Sequence, residues 1–308
     1  MSNVAAPRIV VLRPGALGDA VLTLPVLESL AAAQASAEVM VIGSPVFRLA
    51  AACGLAAEWL AFDDVRLLGL FAPGGSSPVV AGADVCIVYG RDDPFLKANL
   101  ERSGVGRVVV WPAAPAEGTH IVDHLLGALE AAGWCATTHT PRLTPLCAWL
   151  DAADAFLDQR GIAPGFVAVH AGSGGRAKRW PAEQFAQVAE QLGEQALWLL
   201  GPAEDEDKAI REAGGAVGTV AHNVPLATLA GLLARSGLYV GNDSGVSHLA
   251  AAVGAPTVAV FGATDPAVWA PRGSRVAVVG SPEHGGLGAV TVDDVLDATG
   301  RLMGRHLR

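Results

Sequence analysis

Apolar residues recur along this 308-residue chain in short unbroken runs, and between those runs at helical spacing. Ile9–Leu12, Glu38–Ile42, Glu58–Phe62, Asp84–Val88 and Val105–Val110 read as strands. A strand covered on both faces shows a continuous apolar run instead of alternation. Ala20–Ala33, Pro45–Cys53 and His120–Gly133 read as helices between them. Leu70–Ala83, rich in Gly, Pro and Ser, reads as a long loop. Pro141–Pro145 and the segment Asp151–Arg160 read as a connection. A second series follows, with strands Phe166–His170, Gln195–Leu200, Gly237–Gly241, Thr257–Phe261 and Arg275–Val279. Its helices are Ala182–Leu192, Leu226–Arg235 and a terminal Thr291–Leu307. Strand–helix alternation on this scale predicts an α/β fold with two doubly wound parallel sheets. The expected domains are 1–160 and 161–308, with the terminal helix (about 291–308) offered as a segment that packs back on the first domain. Open parallel sheets bind ligands beyond the C-terminal ends of their strands, so the two domains are expected to face a central cleft.

Composition narrows the class. At 51% hydrophobic and 17% charged residues, the chain is a globular protein and not a disordered one. Its formal charge of -9 is spread over both halves, which argues against nucleic acid as a partner. It also leaves at most a peripheral contact with the cytoplasmic membrane face. The most apolar windows, Gln195–Pro202 and Pro256–Gly262, are strand-length and too short to span a bilayer. The run at Arg8–Arg13 is closed by a charge and lacks the pattern of a signal peptide, so a cytoplasmic location is expected; the chain is also expected to be a monomer. Cys53, Cys86, Cys135 and Cys147 are widely spaced, with no C-x-x-C pair, and read as reduced thiols without a metal.

Chemistry concentrates in three turns. Val240–Ala252 reads as strand, tight turn and helix, and the helix N-terminus presents backbone N–H groups that attract anions. Asp243 and Ser244 can cap that helix, Gly245 permits close approach of a ligand, and His248 lies about one turn in. A capped core helix with a buried histidine explains the same residues. The loop Ala171–Pro181 resembles a P-loop in its small residues and cations, but Ala177-Lys178-Arg179 stands where a P-loop requires Gly-Lys-Ser/Thr. It suits an anionic ligand, or equally a solvated basic loop anchored by Trp180. In Arg13–Asp19, two glycines three apart do not complete a dinucleotide fingerprint. Asp19 is there either a helix cap or a catalytic carboxylate. Glu204, Asp205 and Glu206 open a helix, where acidic residues ordinarily complement the dipole.

Taken in order, these turns resemble glycosyltransferase family 9, the bacterial lipopolysaccharide heptosyltransferases. Arg13-Pro14-Gly15-Ala16-Leu17-Gly18-Asp19 with Leu24-Pro25 is similar to its N-terminal signature. His170-Ala171-Gly172-Ser173 and Lys178-Arg179-Trp180-Pro181 are similar to its second, with Ala171 where the family usually has Pro. Asn242-Asp243-Ser244-Gly245, His248-Leu249-Ala250, Gly254-Ala255-Pro256-Thr257 and Thr264-Asp265-Pro266 are similar to its third. The resemblance implies a GT-B fold and a metal-independent, inverting transfer of heptose from ADP-heptose, with no cofactor, to a lipopolysaccharide core or other glycan acceptor. It implies Asp19 as the base and Lys178 as a donor-phosphate cation. Ser173, Asp243, Ser244, Gly245 and His248 are implied to hold the nucleotide, and either Glu204 or Glu206 the ribose. Gly18 and Arg91 are the acceptor-side candidates. Two other readings stand beside it, a GT-B-like sugar-nucleotide epimerase and a non-catalytic nucleotide-sugar-binding or assembly protein.

Overall fold

The computed structural model describes residues 6–116, 118–193, 195–204 and 207–304. They divide into two compact units, Met1–Pro141 and Arg142–Arg308. Each is a parallel sheet carrying helices between its strands, as the alternation predicts.

The first unit runs β1 (Arg8–Arg13), α1 (Leu17–Ala33), β2 (Glu38–Gly43), α2 (Phe47–Ala52), β3 (Glu58–Ala61), β4 (Val85–Tyr89), α3 (Pro94–Arg102), β5 (Arg107–Trp111) and α4 (Ile121–Ala132). Its strand order is β3-β2-β1-β4-β5, all parallel. β1 is the central strand, and Ile9 to Arg13 are all buried, which is why it reads as an unbroken apolar run. The order reverses between β1 and β4. The turns leaving those two strands therefore flank the switch point where open sheets bind ligands.

The second unit runs α5 (Cys147–Asp158), β6 (Val167–His170), α6 (Ala182–Leu192), β7 (Ala196–Leu200), α7 (Lys208–Val217), β8 (Thr219–His222), α8 (Leu226–Arg235), β9 (Leu238–Asn242), α9 (Gly245–Ala252), β10 (Thr257–Val260), α10 (Pro266–Trp269), β11 (Val276–Val279) and α11 (Val292–Met303). The order β11-β10-β9-β6-β7-β8 is again parallel and doubly wound, reversing between β6 and β9. Its core is anchored by Trp180, which is 1% exposed and stacks edge-on against Phe185 with ring centroids 4.9 Å apart. The Trp180 indole N–H donates to the Val290 carbonyl at 3.1 Å.

Several expectations change. The segment assigned to a connection is helix α5, with Trp149, Ala153 and Leu157 buried at i, i+4 and i+8. It packs on α8 so closely that a Cβ at Gly231 would lie 2.2 Å from the Trp149 carbonyl oxygen. Arg235 of α8 also grips Asp154 with two bonds of 2.7 and 2.6 Å. α5 thus belongs to the second unit, and the division falls at Pro141/Arg142, earlier than the expected 160/161. Helix α11 packs on α6, β10 and β11 of its own unit, because Val295, Leu296 and Ala298 join that unit's core. α3 was not foreseen, although Asp93 caps it through bonds to the Phe95 and Leu96 amides and Pro94 takes its first position. The expected loop at 70–83 is fastened, not loose. The buried Asn99 amide donates to the Leu70 and Ala72 carbonyls at 3.0 and 2.7 Å, and the Arg8 guanidinium to those of Val79 and Ala81. No helix among the described residues is long and apolar enough to cross a membrane.

Candidate functional site

In the second unit the two turns at the switch point interlock. Asn242 closes β9 with no exposure; its side-chain carbonyl accepts from the Trp180 amide at 2.9 Å and its NH2 donates to the Ala171 carbonyl at 2.8 Å. One buried amide thus ties the β6 exit loop to the end of β9. Ser173 donates its hydroxyl to the Asp243 carbonyl at 2.8 Å. Lys178 donates to Asp243 Oδ2 at 2.7 Å, and the Thr264 hydroxyl donates to the same oxygen. Arg179 clamps the Ser173 carbonyl with two bonds of 3.0 and 2.8 Å and reaches Asp207 at 2.9 Å. Lys178 keeps 35% of its side chain exposed while Asp243 keeps 7%, so the ammonium is available to solvent and the carboxylate is not.

Helix α9 begins at Ser244, yet no side chain caps it. Asp243 and Ser244, expected as caps, are turned elsewhere. The Asp243 carboxylate faces Lys178 and Thr264, and the Ser244 hydroxyl lies 3.3 Å from that of Ser247. An N-terminus without a side-chain cap keeps its N–H groups for a ligand. Gly245 is the first helical residue, and His248 lies in the first turn, 6% exposed. Beneath the turn, Ser247 donates to the Asn242 carbonyl and Tyr239 meets Ser247 at 3.0 Å. Burial drives the Tyr239 phenol well above its ordinary value, so it stays neutral. Burial lowers His170, opposed by its bond to the Leu199 carbonyl and by Glu204. A neutral imidazole at the end of β6 adds no charge to the site.

Glu204 is 3% exposed, accepts from the Gly201 amide at 2.9 Å and presses against Gly172, where a Cβ would lie 2.2 Å from Glu204 Oε1. Glu206 lies outside the described residues.

In the first unit, Asp19 is the third residue of α1. Its Oδ2 accepts from the Ala16 amide at 2.9 Å, half of a capping box, and its Oδ1 takes Arg13 at 2.7 Å. Its side chain remains 36% exposed, whereas that of Arg13 is 2% exposed. Gly15, at φ +138°, lies over the carboxylate, and a Cβ there would sit 2.5 Å from Asp19 Cγ and Oδ2. Gly15→Ala is expected to destabilise the protein by about 1–3 kcal/mol through backbone strain. Urea unfolding of the variant beside the wild-type protein checks the effect. Gly18 lies in the first turn of α1, half-buried, and Arg91 is exposed in the turn after β4.

The second-unit residues Ser173, Lys178, Asp243 and Ser244 to His248 therefore come together, with Glu204 against the same turn. Asp19 and Gly18 lie in the first turn of α1 and Arg91 in the turn after β4, each just beyond the C-terminal end of a first-sheet strand. Asn242, Thr264, Arg179 and Arg13 stand in the signatures quoted from the sequence, but no role is assigned to any of them there. The signal was present in Arg13 and Asn242, polar residues that end otherwise apolar strands. The described residues contain no group of three or more His, Cys, Asp and Glu side chains able to hold a metal.

Residues 102–290 match the family model described as glycosyltransferase family 9 (heptosyltransferase). Lipopolysaccharide heptosyltransferase 3 of Escherichia coli strain K12 is 30% identical over 168 residues, 51% of this chain and 48% of that protein. The chain thus spans about half the length of this curated relative. A glycosyl transferase family 9 structure from Veillonella parvula superposes with a TM-score of 0.80 at 20% identity, covering 98% of both chains. The ADP-heptose lps heptosyltransferase II of E. coli superposes with a TM-score of 0.74 at 20% identity, covering 96% of this chain and 98% of that one. At these identities the two structures speak for the fold, two parallel α/β units of the GT-B class.

Proposed function

The chain belongs to glycosyltransferase family 9, and from that membership we propose that it transfers heptose, or a related sugar, from an ADP-sugar to a lipopolysaccharide core or similar glycan acceptor. The observation that carries the proposal is the pairing of an uncapped α9 N-terminus with Lys178, a half-exposed cation held over the same turn. A helix N-terminus and a lysine together suit a diphosphate.

In this reading the acceptor hydroxyl attacks the anomeric carbon from the face opposite the diphosphate. The glycosidic C–O bond breaks, its electron pair leaves on the nucleoside diphosphate, and the hydroxyl proton passes to Asp19. Negative charge builds on the leaving phosphate, and Lys178 with the α9 N–H groups stabilises it. These groups do the work a metal does in other transferases, so the mechanism runs without one. Ser173, Asp243 and Gly245 shape the diphosphate cradle. His248, buried in the first turn of α9, backs it. Glu204 is too deeply buried to offer a ribose more than an edge. Its part is to prop Gly172, which leaves the ribose contact to Glu206 or to backbone. Gly18 and Arg91 stay on the acceptor side. The protein works as a cytoplasmic monomer that meets a glycolipid at the membrane face.

Calorimetry with ADP, UDP and GDP, followed by turnover of ADP-heptose with a heptose-deficient lipopolysaccharide core, tests the reading. ADP is expected to bind at least about tenfold more tightly than UDP. Equal binding sinks the donor assignment. A tight ADP complex with no transfer and no donor hydrolysis favours the non-catalytic alternative.

A further inference from the structure

Arg13 is an expensive residue to place where it stands. It ends a strand buried on both faces, and its guanidinium is 2% exposed. Burial pulls its pKa down, against the opposing pull of Asp19 and Tyr89. An arginine nevertheless keeps its proton. Among the described residues the buried cation has one carboxylate partner, Asp19 at 2.7 Å. Its other contacts are a long bond of 3.4 Å to the Ala113 carbonyl and the face of Tyr89, 5.6 Å from the ring centroid. Its Nε–H is buried without a partner. Tyr89 is itself locked, its hydroxyl donating to the Leu125 carbonyl at 2.8 Å.

Capping α1 does not require this arrangement. Asp19 Oδ2 already receives the Ala16 amide, and a buried ion pair with an idle donor is a poorer source of stability than an apolar side chain of the same volume. The second contact does something a cap does not. One carboxylate oxygen is tied to Ala16 and the other to Arg13, so the side chain cannot rotate about its last torsion, and Gly15 closes one face of it. Asp19 still keeps 36% of its side chain exposed.

We propose that Arg13 is the positioning residue for the proton acceptor, fixing the plane of the Asp19 carboxylate through a fork braced against β4 and the loop after β5. This rests on Asp19 being the base of the transfer. Lysine is a poor substitute, because a single ammonium can reach Asp19 but cannot also span to Ala113 while stacked on Tyr89.

The test uses Arg13→Met and Arg13→Lys in the full chain. Arg13→Met is expected to lower kcat about a hundredfold, and Arg13→Lys about tenfold, as displacement of a reacting group by about 1 Å does. The donor KM stays within about twofold in both, since the donor residues lie in the other unit. A second readout does not depend on activity. The Ala16 amide, which donates to Asp19, exchanges with solvent about tenfold faster once the carboxylate swings free, while the β1 amides keep their protection. If either variant retains wild-type kcat, or if Ala16 exchange is unchanged in a folded Arg13→Met protein, the positioning role is wrong. Failure of the functional reading looks different: Asp19→Asn would then turn over normally, while Ala16 exchange would still respond to Arg13.

Discussion

Asp19→Asn is expected to lower transfer by about a thousandfold while ADP affinity stays within about twofold. The amide keeps the geometry of the carboxylate. Its one oxygen can still accept from Arg13 and the steric fit beneath Gly15 is preserved, but its NH2 then faces the Ala16 amide, so that single bond is given up at a cost of about 1 kcal/mol. What it cannot do is take a proton from an attacking hydroxyl. The nucleotide affinity is unaffected because every residue assigned to the diphosphate belongs to the second unit, from Ser173 to Thr264. Transfer assays and calorimetry on one preparation separate the two quantities, and a variant that turns over at the wild-type rate reduces Asp19 to a cap. Asp19→Ala is a poorer probe. It removes the acceptor atom as well as the charge that Arg13 meets, a larger loss than the amide's, and so confounds activity with stability.

Lys178→Met carries the second large effect, on binding instead of proton transfer. Removing the ammonium deletes a charge-assisted contact to the diphosphate, about 1.5–3 kcal/mol. It also unmasks Asp243, whose 7%-exposed carboxylate would otherwise be screened by the lysine at 2.7 Å and would now repel the incoming phosphate. ADP affinity is expected to fall about thirty- to three-hundredfold. The charge on the departing phosphate grows along the reaction, so kcat falls as well. Pairing the change with Asp243→Asn removes the repulsion, and the double variant should bind ADP better than Lys178→Met alone. Calorimetry on the three variants decides it; an affinity in Lys178→Met within about threefold of wild type means the phosphate lies elsewhere.

The two effects divide the labour between the units. In the proposed reading unit two would hold the leaving group and unit one would supply the base, Asp19, which Ala16 and Arg13 contact. The effects on folding stability of mutations in the donor turn and in the base turn should add, because the two clusters share no hydrogen-bond partner among the described residues.

The strand runs and most helices could be read directly from the chain, because a parallel strand buried on both faces writes itself as consecutive apolar residues and a helix as a 3.6 period. The first sheet, five of the six strands of the second, the turns that close β1, β6 and β9, and the residues on those turns followed from local pattern, and the family resemblance followed from their order; the edge strand β8, Thr219–His222, was not foreseen. α5 did not, because Cys147–Asp158 is rich in alanine and aspartate and its buried stripe of Trp149, Ala153 and Leu157 acquires meaning only against Gly231 of α8. The unit boundary moved with it. Within the site, sequence named Asp243 and Ser244 as caps because short polar residues before a helix usually are. Their side chains face Lys178, Thr264 and Ser247 because those partners arrive from elements 3 to 65 residues away. Asp19 was equally a cap or a base in the sequence, and the structure makes it a cap through one oxygen and an ion-pair partner through the other. Local propensity determined where each chemical group stands on its element. Only tertiary packing decided which group it faces, since burial and pairing are set by neighbours distant along the chain.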